Sequence, residues 1–420
     1  MRQISDLSPD ERDEIIDRST ETDRVVPDVG DILKEVRERG DAAVEEFTSK
    51  FDGVDLDSPS VDESRIEAAF DEVDDRVLEA VDEAAGRIEE FHSKQVRDDY
   101  TEETDEGIEV GRRFVPLDSV GAYVPGGGAA YPSTALMTVI PAKVAGVERV
   151  IACTPPRPEP LTLVALSVAG ADEVYEIGGA QAVGAMAYGT DSVEGVDKIV
   201  GPGNIYVTAA KELVQGDVLI DFPAGPSEIG VVADGTAEPE FVAADMLAQA
   251  EHDPNASVLA VATSRSIADE IEDEIETQMG EMERGETASQ VVDDSSVLYG
   301  DLDDCVELMR EYAPEHLSIF TEDDEEVLDR VRHAGSVFLG NYTPVAAGDY
   351  ATGTNHVLPT SGYARLYGGL SVDDFVKGVT VQRLSKEGLG SLADTITTLA
   401  REEGLPAHAK SVDLRTREDD

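Results

Sequence analysis

From Gly121 onward, short apolar runs rich in β-branched residues alternate with helical stretches, and this alternation constrains the fold more than any other feature. Val120–Val124 precedes Tyr131–Ala145, Val150–Cys153 precedes Leu161–Ala169, and Val174–Ile177 precedes Ala180–Tyr188. Lys198–Val200, Asn204–Val214 and Val218–Asp221 complete the set. Strands that alternate with helices in this way predict a parallel sheet with crossover helices, here a unit of about 100 residues. A more acidic alternation follows, with strands at Glu228–Val232, Val258–Val261, Val297–Tyr299, Leu317–Phe320 and Val337–Leu339. Helices Glu240–Glu251, Ser266–Glu283, Asp303–Tyr312 and Asp324–His333 lie between them. The expected fold class is α/β: two Rossmann-like parallel-sheet units, one inserted in the other, plus small helical N- and C-terminal segments. The boundaries drawn are a helical segment 1–20, a discontinuous α/β domain 21–120 and 228–370, an inserted α/β domain 121–227, and a helical segment 371–420.

The N-terminal region reads as acidic helices. Ser8-Pro-Asp-Glu11 has the form of a capping box. From Glu63 to Phe91, apolar residues such as Ile66, Phe70, Val77, Val81 and Ile88 recur at helical steps, as one amphipathic stripe with a charged far side. These helices have no nearby sheet of their own, and the expectation is that they pack on the second α/β unit.

Charge narrows the function classes. Of 420 residues, 33 are basic and 90 acidic, a net charge of −57. Nucleic acid needs a basic face and anionic lipid attracts basic segments, so neither is an expected partner. Because 41% of residues are hydrophobic, in recurrent segments, the charge reads as the coat of a folded enzyme in a salty cytoplasm, where salt screens self-repulsion. The N-terminus has no apolar signal-peptide core, and no run approaches the ~20 apolar residues of a membrane span. The two cysteines, Cys153 and Cys305, are too few for a disulfide framework.

Candidate chemistry gathers around a few of the six histidines. Gly348-Asp-Tyr-Ala-Thr-Gly-Thr-Asn-His356 sets a carboxylate and an imidazole among small, turn-forming residues; it reads as a shaped loop, the raw material of a metal or proton-transfer site, or else as a polar turn. Gln249 and His252 share a face near the end of a helix that Pro239 opens, offering an oxygen and a nitrogen to a metal; the plainer reading is a helix-end histidine bonded to a carbonyl. Glu315 and His316 stand side by side before a strand, two titrating groups that both face one cleft only if the backbone turns there. Glu403 and His408 flank a Gly-Leu-Pro-Ala turn near the C-terminus. Gly121-Ala-Tyr-Val-Pro-Gly126-Gly-Gly128 and Gly201-Pro-Gly203-Asn204 are glycine-rich, and the second opens a helix after a strand, where a pyrophosphate can bind. Tyr206 occupies the place of the third fingerprint glycine, and Asp221 stands where a ribose-binding acid would close the next strand. These motifs alone leave dinucleotide binding open.

Taken together, the motifs resemble the histidinol dehydrogenase family. Gln249-Ala-Glu-His252, Pro314-Glu315-His316-Leu317, Gly348 to His356 with Val-Leu-Pro after it, and Glu403-Gly-Leu-Pro-Ala-His408 occur in the family's order. So do Tyr123-Val-Pro-Gly-Gly, Gly178-Gly-Ala-Gln181, Gly201-Pro-Gly-Asn204 and Pro223-Ala-Gly-Pro-Ser227-Glu. The likeness runs from about Gly40 to Arg415; Tyr367-Gly-Gly369 and Ser411 depart from the pattern without touching a motif residue. The resemblance implies oxidation of L-histidinol through the aldehyde to L-histidine with two NAD, the last step of histidine biosynthesis. It implies one zinc per subunit held by Gln249, His252, Asp349 and His408, with Glu315 and His316 as acid–base pair. Ser227, His356 and Glu403 would contact substrate together with His316 and the metal ligands, and Tyr123, Gln181 and Asn204 would contact NAD in the inserted domain. Glu403 and His408 would enter the site from the partner of a homodimer. A competing enzyme class is a cysteine-dependent NAD aldehyde dehydrogenase using Cys153 or Cys305 as a thiolate, although both sit in core-like surroundings.

Overall fold

The structure is a computed structural model that describes residues 2–18, 22–56, 58–126, 130–282, 285–292 and 296–417. Gly127 and Gly128 of the first glycine motif, the end of the expected helix at Glu283 and the acidic tail from Glu418 lie outside the described residues.

The described strands are, in chain order, β1 (Arg2–Gln3), β2 (Tyr100–Asp105), β3 (Ile108–Pro116), β4 (Ser119–Tyr123), β5 (Arg149–Thr154), β6 (Glu173–Glu176) and β7 (Lys198–Val200). They continue as β8 (Leu219–Ile220), β9 (Glu228–Ala233), β10 (Ser257–Ala262), β11 (Val297–Tyr299), β12 (His316–Phe320), β13 (Ser336–Leu339) and β14 (Val376–Leu384). Two sheets are wholly parallel, as the alternation predicts: a five-stranded sheet ordered β6-β5-β4-β7-β8 and a six-stranded sheet ordered β1-β11-β10-β9-β12-β13. Apart from β1, which joins the six-stranded sheet at its edge, each unit begins in its middle, winds outward to one side, and returns to the other side of its starting strand. Each therefore has a switch point, beside β4 and β7 in one and beside β9 and β12 in the other. The capping box is present, since Ser8 accepts from the Glu11 N–H while the Glu11 carboxylate accepts from the Ser8 N–H.

Three expectations need correction. Pro9–Ile16 does pack on the second unit, against Leu302–Tyr312, but the helices from Thr22 to Ser93 pack on the five-stranded unit: Thr22–Arg39 lies on the helices Gly179–Tyr188 and Ile205–Val214, and Asp75–Ser93 lies on Pro132–Ala145. The stripe shows that a helix is covered, not what covers it. The six-stranded sheet has its faces filled by its own crossover helices together with Ile4, Ile15 and Ile16, whereas Val29, Leu33 and Val36 complete the core over Val183 and Ile199. That same stripe is two helices, Glu63–Glu72 and Asp75–Ser93, because Asp74 caps a new N-terminus by accepting from the Arg76 N–H. The region after Ser371 is not wholly helical. β14 pairs antiparallel with β3, and β3 with β2, in a three-stranded sheet that carries the hairpin of helices Lys386–Glu402 and Pro406–Thr416. Gly107 at the β2–β3 turn has φ +70° and receives the Ser385 N–H on its carbonyl at 2.8 Å, so the helical hairpin starts directly on that turn. Exposure runs along almost all of β2 and β14, because this sheet has no crossover helices to cover its faces.

Candidate active site

A cleft of about 1290 Å³ lies between the two parallel units. Tyr123, Gln181 and Asn204 line it from the five-stranded unit, and Ser227, Gln249, His252, Glu315, His316, Asp349 and His356 from the other. The two units present opposite edges. Tyr123 ends β4 and Asn204 follows β7, the carboxyl edge where doubly wound sheets ordinarily bind ligands. Ser227 precedes β9, His252 precedes β10 and Glu315 precedes β12, so the six-stranded unit contributes its amino edge.

The carboxyl edge is shaped by close backbone approach. Gly201 has φ +109°, and a Cβ there would stand 2.2 Å from the Tyr123 carbonyl, so only glycine lets β7 end against β4. The Asn204 amide oxygen caps the next helix, accepting from the Tyr206 N–H at 3.0 Å and the Val207 N–H at 3.2 Å. Tyr123 is 3% exposed, and its hydroxyl accepts from the Gly179 N–H at 3.1 Å. Burial pushes its phenol up to about 12, so it stays neutral. Asp221 is not a ribose-binding acid. It is buried, accepts from the Gly201 N–H at 2.9 Å and pairs with Lys211, bracing the glycine turn from behind.

At the amino edge, Glu315 and His316 do face one cleft, because Ala313 adopts φ +48° and the chain bends at Glu315 before β12 begins. His316 Nδ1 lies 3.1 Å from the Glu228 carbonyl and 3.4 Å from Glu315 Oε2, and Nε2 lies 3.6 Å from Asp349 Oδ1. Burial opposes charge on His316, but the carboxylates of Glu315 and Asp349 outweigh it and hold the imidazole's pKa up at about 10. Burial also works to raise Asp349, yet His316, His356 and His252 around it keep its carboxyl below the usual range. Asp349 lies not in a loop but in the last turn of the helix Val345–Tyr350; only the part after it, to His356, is irregular. His356 bridges the units, its Nε2 standing 3.1 Å from Thr134 Oγ1 on the helix Pro132–Ala145. Burial lowers the His356 pKa, which favours the neutral ring. Gln249 is 2% exposed, and its Oε1 has no hydrogen-bond partner among the described residues.

Glu403 and His408 are exposed on the C-terminal hairpin and do not line this cleft. One chain thus brings together all the expected site residues except these two. Sequence reasoning missed Thr134, Glu228 and Asp245. Asp245 lies one turn before Gln249 on the same helix, and burial pushes its carboxyl up to about 6. Its i, i+4 relation to Gln249 was the available signal.

A family model described as histidinol dehydrogenase matches residues 16–416. The histidinol dehydrogenase of Haloarcula marismortui is 55% identical over 420 residues, 99% of either chain, and that of Halobacterium salinarum 53% identical over 417 residues, 98% of either. The crystal structure of histidinol dehydrogenase from Elizabethkingia anophelis superposes with a TM-score of 0.91 at 40% identity, covering 97% of this chain and 96% of that one. The chain belongs to the histidinol dehydrogenase family. It is an oxidoreductase, and the family resemblance carried by its motifs is borne out.

A thiolate-dependent reaction does not fit this chain. Cys153 and Cys305 are both 0% exposed, neither lines the cleft, and burial pushes each thiol up to about 12. Among the described residues, no helix is long and apolar enough to cross a membrane.

Proposed function

We propose that the cleft oxidises L-histidinol through the aldehyde to L-histidine with two NAD, as the last step of histidine biosynthesis, and that it uses one zinc ion per subunit. Support for the metal comes from the donor set. Gln249 offers a buried oxygen without a partner among the described residues, and His252 and Asp349 line the same cleft. Among the described residues, no three His, Cys, Asp or Glu side chains of one chain are grouped to hold a metal. That suits a set of two such residues, one glutamine and a donor from a second chain. We therefore assign Gln249, His252 and Asp349 of one subunit and His408 of the partner subunit as ligands; nitrogen and oxygen donors suit zinc. The C-terminal hairpin and the strand that carries it support this exchange, because Leu399, Leu405 and Leu414 on the hairpin and Val379 and Val381 on β14 are exposed, apolar side chains that a second copy would bury.

When bound, zinc would supply a Lewis-acid anchor for the substrate's imidazole and amine, and NAD would supply the hydride acceptor. The protein's own groups do the rest. His316 Nε2 takes the proton from the alcohol as the first hydride leaves. Glu315 takes a proton from the water that adds to the aldehyde carbon, and loss of the second hydride leaves the carboxylic acid. With Asp349 committed to a cation, one of the two carboxylates that hold a proton on His316 is neutralised, and the imidazole can stand neutral as a base. Ser227 and His356, with Glu403 of the partner subunit, orient the substrate. Tyr123, Gln181 and Asn204 hold NAD at the carboxyl edge of the five-stranded unit, whose switch point faces the cleft.

The observation that carries this reading is the convergence of Glu315, His316 and Asp349 in one cleft with the orphaned Gln249 oxygen. Metal content and NADH yield test it together. Two NADH per histidine and loss of turnover on chelation are expected; one NADH per product, or full activity without metal, would overturn it. The net charge of −57 supports operation in a salt-rich cytoplasm.

A further inference from the structure

Glu228 sits behind the acid–base pair and touches both members with its main chain. Its N–H donates to Glu315 Oε2 at 2.9 Å, and its carbonyl stands 3.1 Å from His316 Nδ1. With Nδ1–H donating to that carbonyl, Nε2 is the nitrogen left for the cleft, and among the described residues it has no hydrogen-bond partner. The side chain of Glu228 makes separate attachments. Oε1 accepts from the Ser361 N–H at 2.6 Å, and Oε2 pairs with the Arg18 guanidinium. Both side chains are buried, 3% exposed for Glu228 and 8% for Arg18, and above about pH 7 the Glu228 carboxyl is ionised beside the guanidinium. Arg18 also donates to the Tyr312 carbonyl, and its guanidinium carbon lies 3.9 Å from the centre of the Tyr312 ring.

This pair therefore joins four pieces that are remote in sequence: the N-terminal segment, the start of β9, the end of the helix Leu302–Tyr312 that leads into Glu315, and the loop at Ser361. That loop follows His356 and Leu358 of the cleft, and Ser361 is held at φ +53°, a conformation that a residue with a side chain adopts only under constraint. A buried ion pair is a poor source of net stability against apolar side chains of similar size. Its position, one peptide group from both reacting side chains, gives it another use.

We propose that Arg18 and Glu228 are a buried positioning pair that sets the orientation of Glu315 and His316 from outside the cleft. The proposal rests on reading those two residues as the acid–base pair. Neither Arg18 nor the Glu228 carboxylate touches substrate; they act by fixing the peptide group of Glu228, and through it the tautomer of His316. A misplacement of the order of 1 Å at reacting groups costs about 100-fold in rate.

The test uses the metal-loaded enzyme carrying Arg18→Met, Arg18→Lys or Glu228→Gln, alone and combined with His316→Ala. Arg18→Met and Glu228→Gln are expected to keep their metal content and a KM for histidinol within about twofold, while kcat falls by about tenfold or more. Arg18→Lys should recover part of that loss, because it restores the charge without the planar fork. In the His316→Ala background Arg18→Met should add little, since both changes act on one group. Wild-type kcat in Arg18→Met and Glu228→Gln, with only a lowered melting temperature, would reduce the pair to a staple of the fold and overturn the proposal. If Arg18→Met fails to fold, Glu228→Gln decides alone, because it keeps the size of the side chain and the acceptor for Ser361. Full turnover in His316→Ala by itself would bring down the acid–base assignment. An inactive His316→Ala beside fully active pair variants would bring down this inference only.

Discussion

Nε2 of His316 stands 3.6 Å from Oδ1 of Asp349, so the proposed base and a proposed metal ligand are neighbours with separable roles. His316→Ala is expected to keep zinc and lose about 10²- to 10⁴-fold in kcat, the usual worth of a positioned proton acceptor. Asp349→Ala should lose the metal as well as turnover. Metal analysis of both variants beside their kinetics checks this, and equal zinc loss in the two would contradict the roles.

His408 belongs by proposal to the site of the other subunit, and this predicts complementation. His316→Ala and His408→Ala homodimers should each be inactive. Unfolded together and reassembled, they form mixed dimers with one intact site, so random pairing should return about a quarter of wild-type activity. Inactive mixtures whose mixed dimers are verified by mass would place His408 in its own subunit's site.

Burial raises the Glu228 carboxyl from 4.5 to about 7 in the folded chain, even with Arg18 pulling it down. The folded state then binds this proton more tightly than the unfolded state does. The group's contribution is therefore fullest below about pH 4.5 and is lost as pH rises through about 7, at most by about 3 kcal/mol. Glu228→Gln has no such proton. The difference in unfolding free energy between wild type and this variant should shift against the wild type across that window, as denaturant titrations at several pH values would show. A constant difference would place the carboxyl at an ordinary pKa.

At a net charge of −57, self-repulsion opposes compactness at low ionic strength. The melting temperature should rise steeply as salt increases, because the Debye length falls from about 10 Å at 0.1 M to about 3 Å at 1 M. Replacing a set of exposed carboxylates, such as Glu67, Glu79, Glu89 and Glu90, by amides should flatten that rise. An unchanged salt dependence in the amide variant would show that surface charge is not its source.

Much of the cleft's lining was legible because short motifs carry it. Gln249 and His252, the Glu315–His316 pair, and Asp349 with His356 were each visible from residue type and spacing, and the alternation after Gly121 announced two parallel units. Asp221 shows the limit. It stands at the expected position for a ribose contact, but the proximity of Lys211 and the Gly201 N–H turns it into an internal brace. β14 was unreadable for a related reason. Its partner β3 lies more than two hundred residues earlier, and a strand exposed along almost its whole length has no alternating burial to mark it.

The sequence by itself determined the local elements and the chemical inventory of this protein, since helical and strand periodicities, caps and glycine turns all act over a few residues. Which sheet the N-terminal helices cover, which edge of each unit faces the cleft, and the placing of Arg18 behind Glu228 were decided by tertiary structure alone. Those choices depend on contacts between distant segments competing for the same buried surface, and no window of sequence records the outcome of that competition.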